Sequence, residues 1–122
     1  MTDSGFSETQ TAFVTGGASG IGLATMEILS RSGFHVVAID RNAESVHQIV
    51  EHFTAEQLSV EEAIADVCDR PVINRILDTR RRVDVMICAA GIDAPRYFNE
   101  ITDVDFRRTL EVNLLGVFGA VQ

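Results

Sequence analysis

The stretch that most constrains this chain is TGGASGIG, Thr15 to Gly22. It follows TAFVTG (Thr11–Gly16), a short apolar run that breaks at glycine as a buried strand does. A helical pattern opens directly after it. Ile21, Ala24 and Ile28 recur on one face between Ile21 and Ser32, and Gly33 stands at the C-cap. A glycine-rich turn in this strand-to-helix context has a mechanical meaning. Gly16 lets the chain turn tightly off the strand. Gly20 and Gly22 leave room for a pyrophosphate to approach the backbone beside the unpaired N–H groups of the new helix. Ser19 adds a hydroxyl donor.

The alternation continues along the chain. HVVAID (His35–Asp40) is rich in β-branched residues and predicts a second strand. Asn42 is placed to cap a helix whose apolar stripe is Val46, Ile49, Val50 and Phe53. SVEEAIADV (Ser59–Val67) predicts a third strand. Pro71 suits the first turn of a helix with the stripe Val72, Ile73, Ile76 and Leu77. VDVMICAAG (Val83–Gly91) is nearly all apolar, as a parallel strand covered on both faces would be. After a loop, Ile92–Ile101, Thr102 and Asp105 form a capping-box pattern that opens a last helix. Strands alternating with helices of this length predict βαβ units and a parallel sheet with right-handed crossovers. Residues 1–10 read as a flexible leader and 11–122 as one α/β domain.

Asp40 ends the second strand about 20 residues beyond the glycines, where a dinucleotide fold places its ribose-binding acid. A carboxylate there accepts both adenosine ribose hydroxyls. It repels a 2′-phosphate, by about 4 kcal/mol per unit charge at ~4 Å and an effective dielectric near 20. NAD is therefore expected over NADP, although Arg41 next door can compensate a phosphate or stack on adenine.

Bulk composition narrows the alternatives. The net charge is −8 and all ten basic residues are arginine, which makes nucleic acid and anionic membrane poor partners. Arg80–Arg82 is expected to complement a helix C-terminus. No apolar run reaches the ~20 residues a bilayer requires. Cys68 and Cys88 form no CxxC pair, which suggests a reducing cytoplasm. His47 and His52 are five apart and off metal-ligand spacing, so no metal site is expected.

Taken together these residues resemble the short-chain dehydrogenase/reductase family, of the type with a Thr-Gly-x-x-x-Gly-x-Gly cofactor motif. Thr15, Gly16, Gly20, Ile21 and Gly22 match that motif, and Asp40 matches the acid of the NAD-preferring members. Asp66-Val67 looks like the Asp-Val pair that holds the adenine. CAAG (Cys88–Gly91) stands where the family has Asn-Asn-Ala-Gly. Ala90 and Gly91 match, whereas Cys88 and Ala89 replace the two asparagines and put their sheet-bridging hydrogen bonds in question. EVNLLG matches the family's helix-borne asparagine, a member of its catalytic tetrad. Asn113 shares a stripe with Phe106, Leu110 and Val117 and is expected to face inward.

The resemblance implies a Rossmann-type, doubly wound parallel sheet in three α/β/α layers, with strand order beginning 3-2-1-4. It implies hydride transfer between a nicotinamide cofactor and a small alcohol or carbonyl substrate. It also implies a homo-oligomer, because the last helix in the family often packs against a neighbouring subunit. The family's remaining tetrad is a serine and a Tyr-x-x-x-Lys, which lie after the asparagine helix. Here the one tyrosine, Tyr97, is followed four positions on by Ile101, and there is no lysine. The expectation is a truncated, cofactor-binding half that is inactive alone. The alternative is a non-catalytic NAD-binding or subunit-interaction module.

Overall fold

The computed structural model describes residues 9–80 and 82–122. The expected leader therefore lies largely outside the described residues, as does Arg81 of the arginine cluster. Four strands, β1 (Thr11–Thr15), β2 (His35–Asp40), β3 (Val60–Ile64) and β4 (Val85–Cys88), form one sheet in the order β3-β2-β1-β4, and every pair is parallel. The connections are α1 (Gly20–Arg31), α2 (Ala43–Ala55) and α3 (Arg70–Leu77). A helical turn at Phe98–Glu100 precedes α4 (Asp103–Leu110), a π turn (Glu111–Leu115) and α5 (Gly116–Val121). This is the predicted Rossmann arrangement, with helices on both faces.

Alternation along the central strands builds two cores. Ala12, Val14, Val36 and Ala38 point to one face, where Met26 of α1 and Val46 and Phe53 of α2 cover them. Phe13, Val37 and Ile39 point to the other, against Ile73 of α3. Each central strand therefore buries both its odd and its even side chains, and all five residues of β1 are buried.

The local signals hold in detail. Asn42 caps α2 by accepting from the Ser45 N–H at 3.0 Å. Asp69 caps α3, with Pro71 in its first turn. Thr102 and Asp105 make both arms of the capping box of α4. Gly33 follows the Ser32 cap at φ +95°, a left-handed position suited to glycine.

Four expectations are corrected. Ile21, Ala24 and Ile28 do share a face of α1, but it is the exposed one: Ile21 is 79% and Ile28 66% exposed. The buried positions are Gly22, Met26 and Ser30, because close packing against Gly16 and Gly17 of the turn requires the small residue, Gly22, to face inward. β4 is apolar yet only half-buried, since among the described residues it stands at the sheet edge with β1 as its one neighbour. Phe106 and Leu110, expected inside with Asn113, are exposed. Arg80 serves the sheet edge more than a helix end: its Nη2 pairs with Glu61 and lies 2.8 Å from His35 Nε2.

Candidate functional site

A cleft of about 310 Å³ opens at the carboxyl ends of the strands. Its lining joins segments far apart in sequence: Gly16, Ser19, Gly20 and Ile21 from the glycine turn, Asp40 and Arg41 after β2, Asp66 and Val67 after β3, and Ala89, Ala90 and Gly91 after β4. Most of the residues singled out in the sequence thus share one wall or another of one cavity. Thr15 and Gly22 do not line it. They lie beneath it, both buried, and hold its floor.

The floor has definite geometry. The Gly16 N–H donates to the Ile39 carbonyl at 2.8 Å, carrying the ladder of β2 one residue into the turn. Gly16 has φ +68°, and a Cβ there would sit 2.7 Å from the Ala90 nitrogen. Only glycine satisfies both conditions. Gly20 also has a positive φ, +54°, but a Cβ there would meet nothing within 4 Å. The space in front of it is open, beside the first N–H groups of α1. Ser19 stands at the N-cap without spending its hydroxyl on capping. A helix N-terminus with an open approach and a spare hydroxyl suits an anionic group.

Asp40 is half-buried and both its oxygens are engaged. Oδ2 accepts from the Ala18 N–H at 3.1 Å, and Oδ1 accepts from the Asn42 N–H at 3.0 Å. The acid therefore braces the glycine turn as well as facing the cleft. Thr15 supplies a bridge to the strand that lacks the family's asparagines. Its Oγ1 accepts from the Ala90 N–H at 3.4 Å, and its carbonyl accepts from the Ala89 N–H at 3.2 Å. The substitutions at Cys88 and Ala89 leave this link intact. Partial burial pushes the Cys88 thiol above its ordinary value.

Asn113 is exposed, yet its amide is satisfied on both sides. The Ile92 N–H donates to Oδ1 at 2.8 Å, and Nδ2 donates to the Ile92 carbonyl at 2.8 Å. The side chain reproduces a strand-like pair of hydrogen bonds and fixes the chain just after Gly91. An asparagine among apolar neighbours is explained by this loop, which no periodicity in its own helix could reveal. The π turn at Glu111–Leu115 brackets it and turns Val112 inward to the cleft.

Arg108 was not singled out from the sequence, and it also lines the cleft. Its Nη2 donates to Asp66 Oδ2 at 3.2 Å. The Cys68 backbone N–H, first, and the Arg108 guanidinium hold the Asp66 carboxyl below the usual carboxylate range, against its partial burial. Burial and the neighbouring Asp66 push the Cys68 thiol up. The signal available in the sequence was weak, because a basic residue in the last turn of a helix is ordinary. Among the described residues, no helix is long and apolar enough to cross a membrane.

Known proteins share this arrangement. Residues 10–122 match the short chain dehydrogenase family. The chain is 34% identical over 117 residues to 2,3-dihydro-2,3-dihydroxybenzoate dehydrogenase of Bacillus subtilis (strain 168), covering 93% of this chain and 45% of that protein. It superposes on a structure of an actinorhodin polyketide ketoreductase variant with NADPH at a TM-score of 0.85 and 26% identity, covering 93% of this chain and 45% of the other. A structure from Beutenbergia cavernae, assigned as an NAD(P)-dependent gluconate 5-dehydrogenase with NADP bound at low occupancy, aligns at a TM-score of 0.83 and 33% identity, covering 91% and 45%. The chain spans about half the length of the relatives it matches. Fold, glycine turn and family match agree: the chain belongs to the short-chain dehydrogenase family.

Proposed function

We propose that this chain forms the dinucleotide-binding half of an NAD-dependent oxidoreductase that moves a hydride between nicotinamide and an alcohol or carbonyl substrate. The observation that carries the reading is the cleft itself. The left-handed glycines, the open helix N-terminus and a ribose-height carboxylate converge there from separate elements. Gly16, Ser19, Gly20 and Ile21 would hold the diphosphate, Asp40 and Arg41 the adenosine ribose, and Asp66 and Val67 the adenine. Ala89, Ala90 and Gly91 would border the nicotinamide side, and Thr15 and Gly22 hold the turn beneath.

Bound nicotinamide would supply the hydride chemistry. The residues of this chain bind, orient and exclude water. Asn113 contributes by holding the Ile92 backbone, so its role here is the placement of the loop after β4. The 122 residues contain no lysine and no Tyr-x-x-x-Lys pair to move the substrate proton. The polypeptide by itself is therefore expected to bind cofactor without turning over substrate. Substrate selection, subunit assembly as a homo-oligomer, and the proton relay belong to the parent protein on this reading. The free thiols Cys68 and Cys88 suit a reducing cytoplasm.

NAD is favoured over NADP because Asp40 is fixed by two backbone donors and cannot swing away from a 2′-phosphate. Calorimetric titration of the 122-residue polypeptide with NAD and with NADP tests the reading. Binding of NAD at least tenfold tighter than NADP is expected. No binding of either dinucleotide defeats the proposal, and equal binding defeats its cofactor preference. Hydride turnover by the isolated polypeptide with any simple alcohol would overturn the claim that it is inactive alone.

A further inference from the structure

We propose that Arg108 is a positioning residue of the cleft: acting through Asp66, it clamps the turn after β3 to the helix that carries Asn113. The proposal rests on reading the cleft as a dinucleotide site. Arg108 and Asp66 line the same cavity, and their side chains meet across 42 positions of sequence. The guanidinium forks over the turn. Nη2 donates to Asp66 Oδ2 at 3.2 Å and Nη1 donates to Cys68 Sγ at 3.5 Å. The other carboxylate oxygen, Oδ1, accepts from the Cys68 N–H at 2.9 Å. Two donors from two different elements thus set the direction in which the carboxylate faces the cleft.

The same helix is pinned a second time, at Asn113, to the Ile92 backbone after β4. One continuous helical segment therefore holds both the turn after β3 and the loop after β4, and both attachments are polar. Apolar packing holds the segment further along, where a Cβ on Gly116 would reach 2.8 Å from Val67 Cγ2. That contact keeps the helix docked when the ion pair is removed. What depends on Arg108 is the aim of the carboxylate, and with it the adenosine end of the site. A planar fork can bridge the carboxylate and the thiol together, whereas an ammonium reaches one of them at a time.

Calorimetry of the 122-residue polypeptide with NAD and with AMP tests the clamp, using Arg108→Gln, Arg108→Lys, Asp66→Asn and the Gln/Asn double variant. Arg108→Gln is expected to weaken both ligands about fivefold, the scale of a half-exposed ion pair. Arg108→Lys should recover part of the loss. In the Asp66→Asn background, Arg108→Gln should add nothing, because the residue through which it acts is gone. Should Arg108→Gln fail to fold, Arg108→Lys closes the same cycle with Asp66→Asn. Losses that multiply in the double variant would mean that Arg108 touches the ligand directly, and would overturn the proposal. So would unchanged affinity in Arg108→Gln while the wild type binds NAD. A wild type that binds neither NAD nor AMP would instead remove the dinucleotide reading, and the clamp with it.

Discussion

β1 and β4 are neighbours in the sheet with nearly the same apolar character, TAFVT and VMIC, and they have different fates. β1 is buried along its whole length, between β2 and β4 and under helices on both faces. β4 is half-buried along its whole length. Beyond it, α4, the π turn and α5 leave Phe106, Leu114 and Phe118 exposed. The two regions carry similar hydrophobic signals because apolar content is written residue by residue. Burial depends on how many neighbours an element has, and an edge strand has one fewer. The β1 side is a closed core; the β4 side is a half-covered apolar surface.

The sharpest way to break this contrast is a matched pair of truncations. Phe13→Ala in β1 is expected to destabilise by about 3–5 kcal/mol, since it empties a fully enclosed site. Met86→Ala in β4 should lose less than half as much. Urea midpoints at equal m-value decide it, and equal losses would mean the edge is as well packed as the centre.

The floor between the two strands comes next. Gly16→Ala puts a Cβ against Ala90 at a left-handed φ, which the turn can accommodate only by moving. A loss of about 1–3 kcal/mol in stability is expected, together with more than tenfold weaker NAD binding. Retained affinity would show that the turn and the β4 loop are not one unit.

Asp40→Asn tests the brace on the β2 side of the cleft. The amide keeps one acceptor oxygen and so releases either Ala18 or Asn42. NAD affinity should fall about tenfold, the scale of a lost charge-assisted hydrogen bond. NADP affinity should not rise to match, because the glycine turn loosens at the same time. A clean switch to NADP would show that Asp40 acts on the ribose alone.

On the β4 side, Asn113→Ala removes both hydrogen bonds to Ile92. At an exposed site, about 1 kcal/mol is expected, with faster hydrogen exchange at the Ile92 amide as the local readout. Unchanged exchange would mean the loop is held by something else.

The smallest effect lies at the far end of the sheet. Glu61 is partly buried, which raises its pKa, but His35 and Arg80 outweigh that and leave it below the usual glutamate value. A depressed folded value means that Glu61 contributes stability above the unfolded pKa. The contribution is lost as pH falls through the folded one. Glu61→Gln should therefore lower stability slightly at neutral pH, leave it nearly unchanged at low pH, and so flatten the acid limb of a stability–pH curve below about pH 4.5, the ordinary glutamate value. An unaltered acid limb would exclude the pair as a contributor.

Much of this was open to the reader of the sequence, and the reason is locality. The glycine turn, the Asn42 and Thr102 caps, Pro71 and the strand His35–Asp40 are set by contacts within a few residues, so their signals sit side by side in the chain. The parallel sheet followed from the alternation of strands and helices, and its strand order from the family resemblance. The face of α1 was misread because two isoleucines outvoted a glycine. Close packing against the turn needed the small residue inward, and the large ones had to go out. Asn113 was picked out by resemblance, but its exposed setting and its Ile92 partner were not.

The sequence alone determined the elements, the parallel α/β/α class and the position of the phosphate turn, because these rest on short-range sterics, capping and periodicity. Tertiary structure decided which apolar faces are covered, that Asp40 braces Ala18, that Thr15 bridges to Ala90, and that Arg108 reaches Asp66. Each of these three contacts joins residues from elements far apart in the chain that only the folded arrangement brings together. No local pattern encodes such a distance.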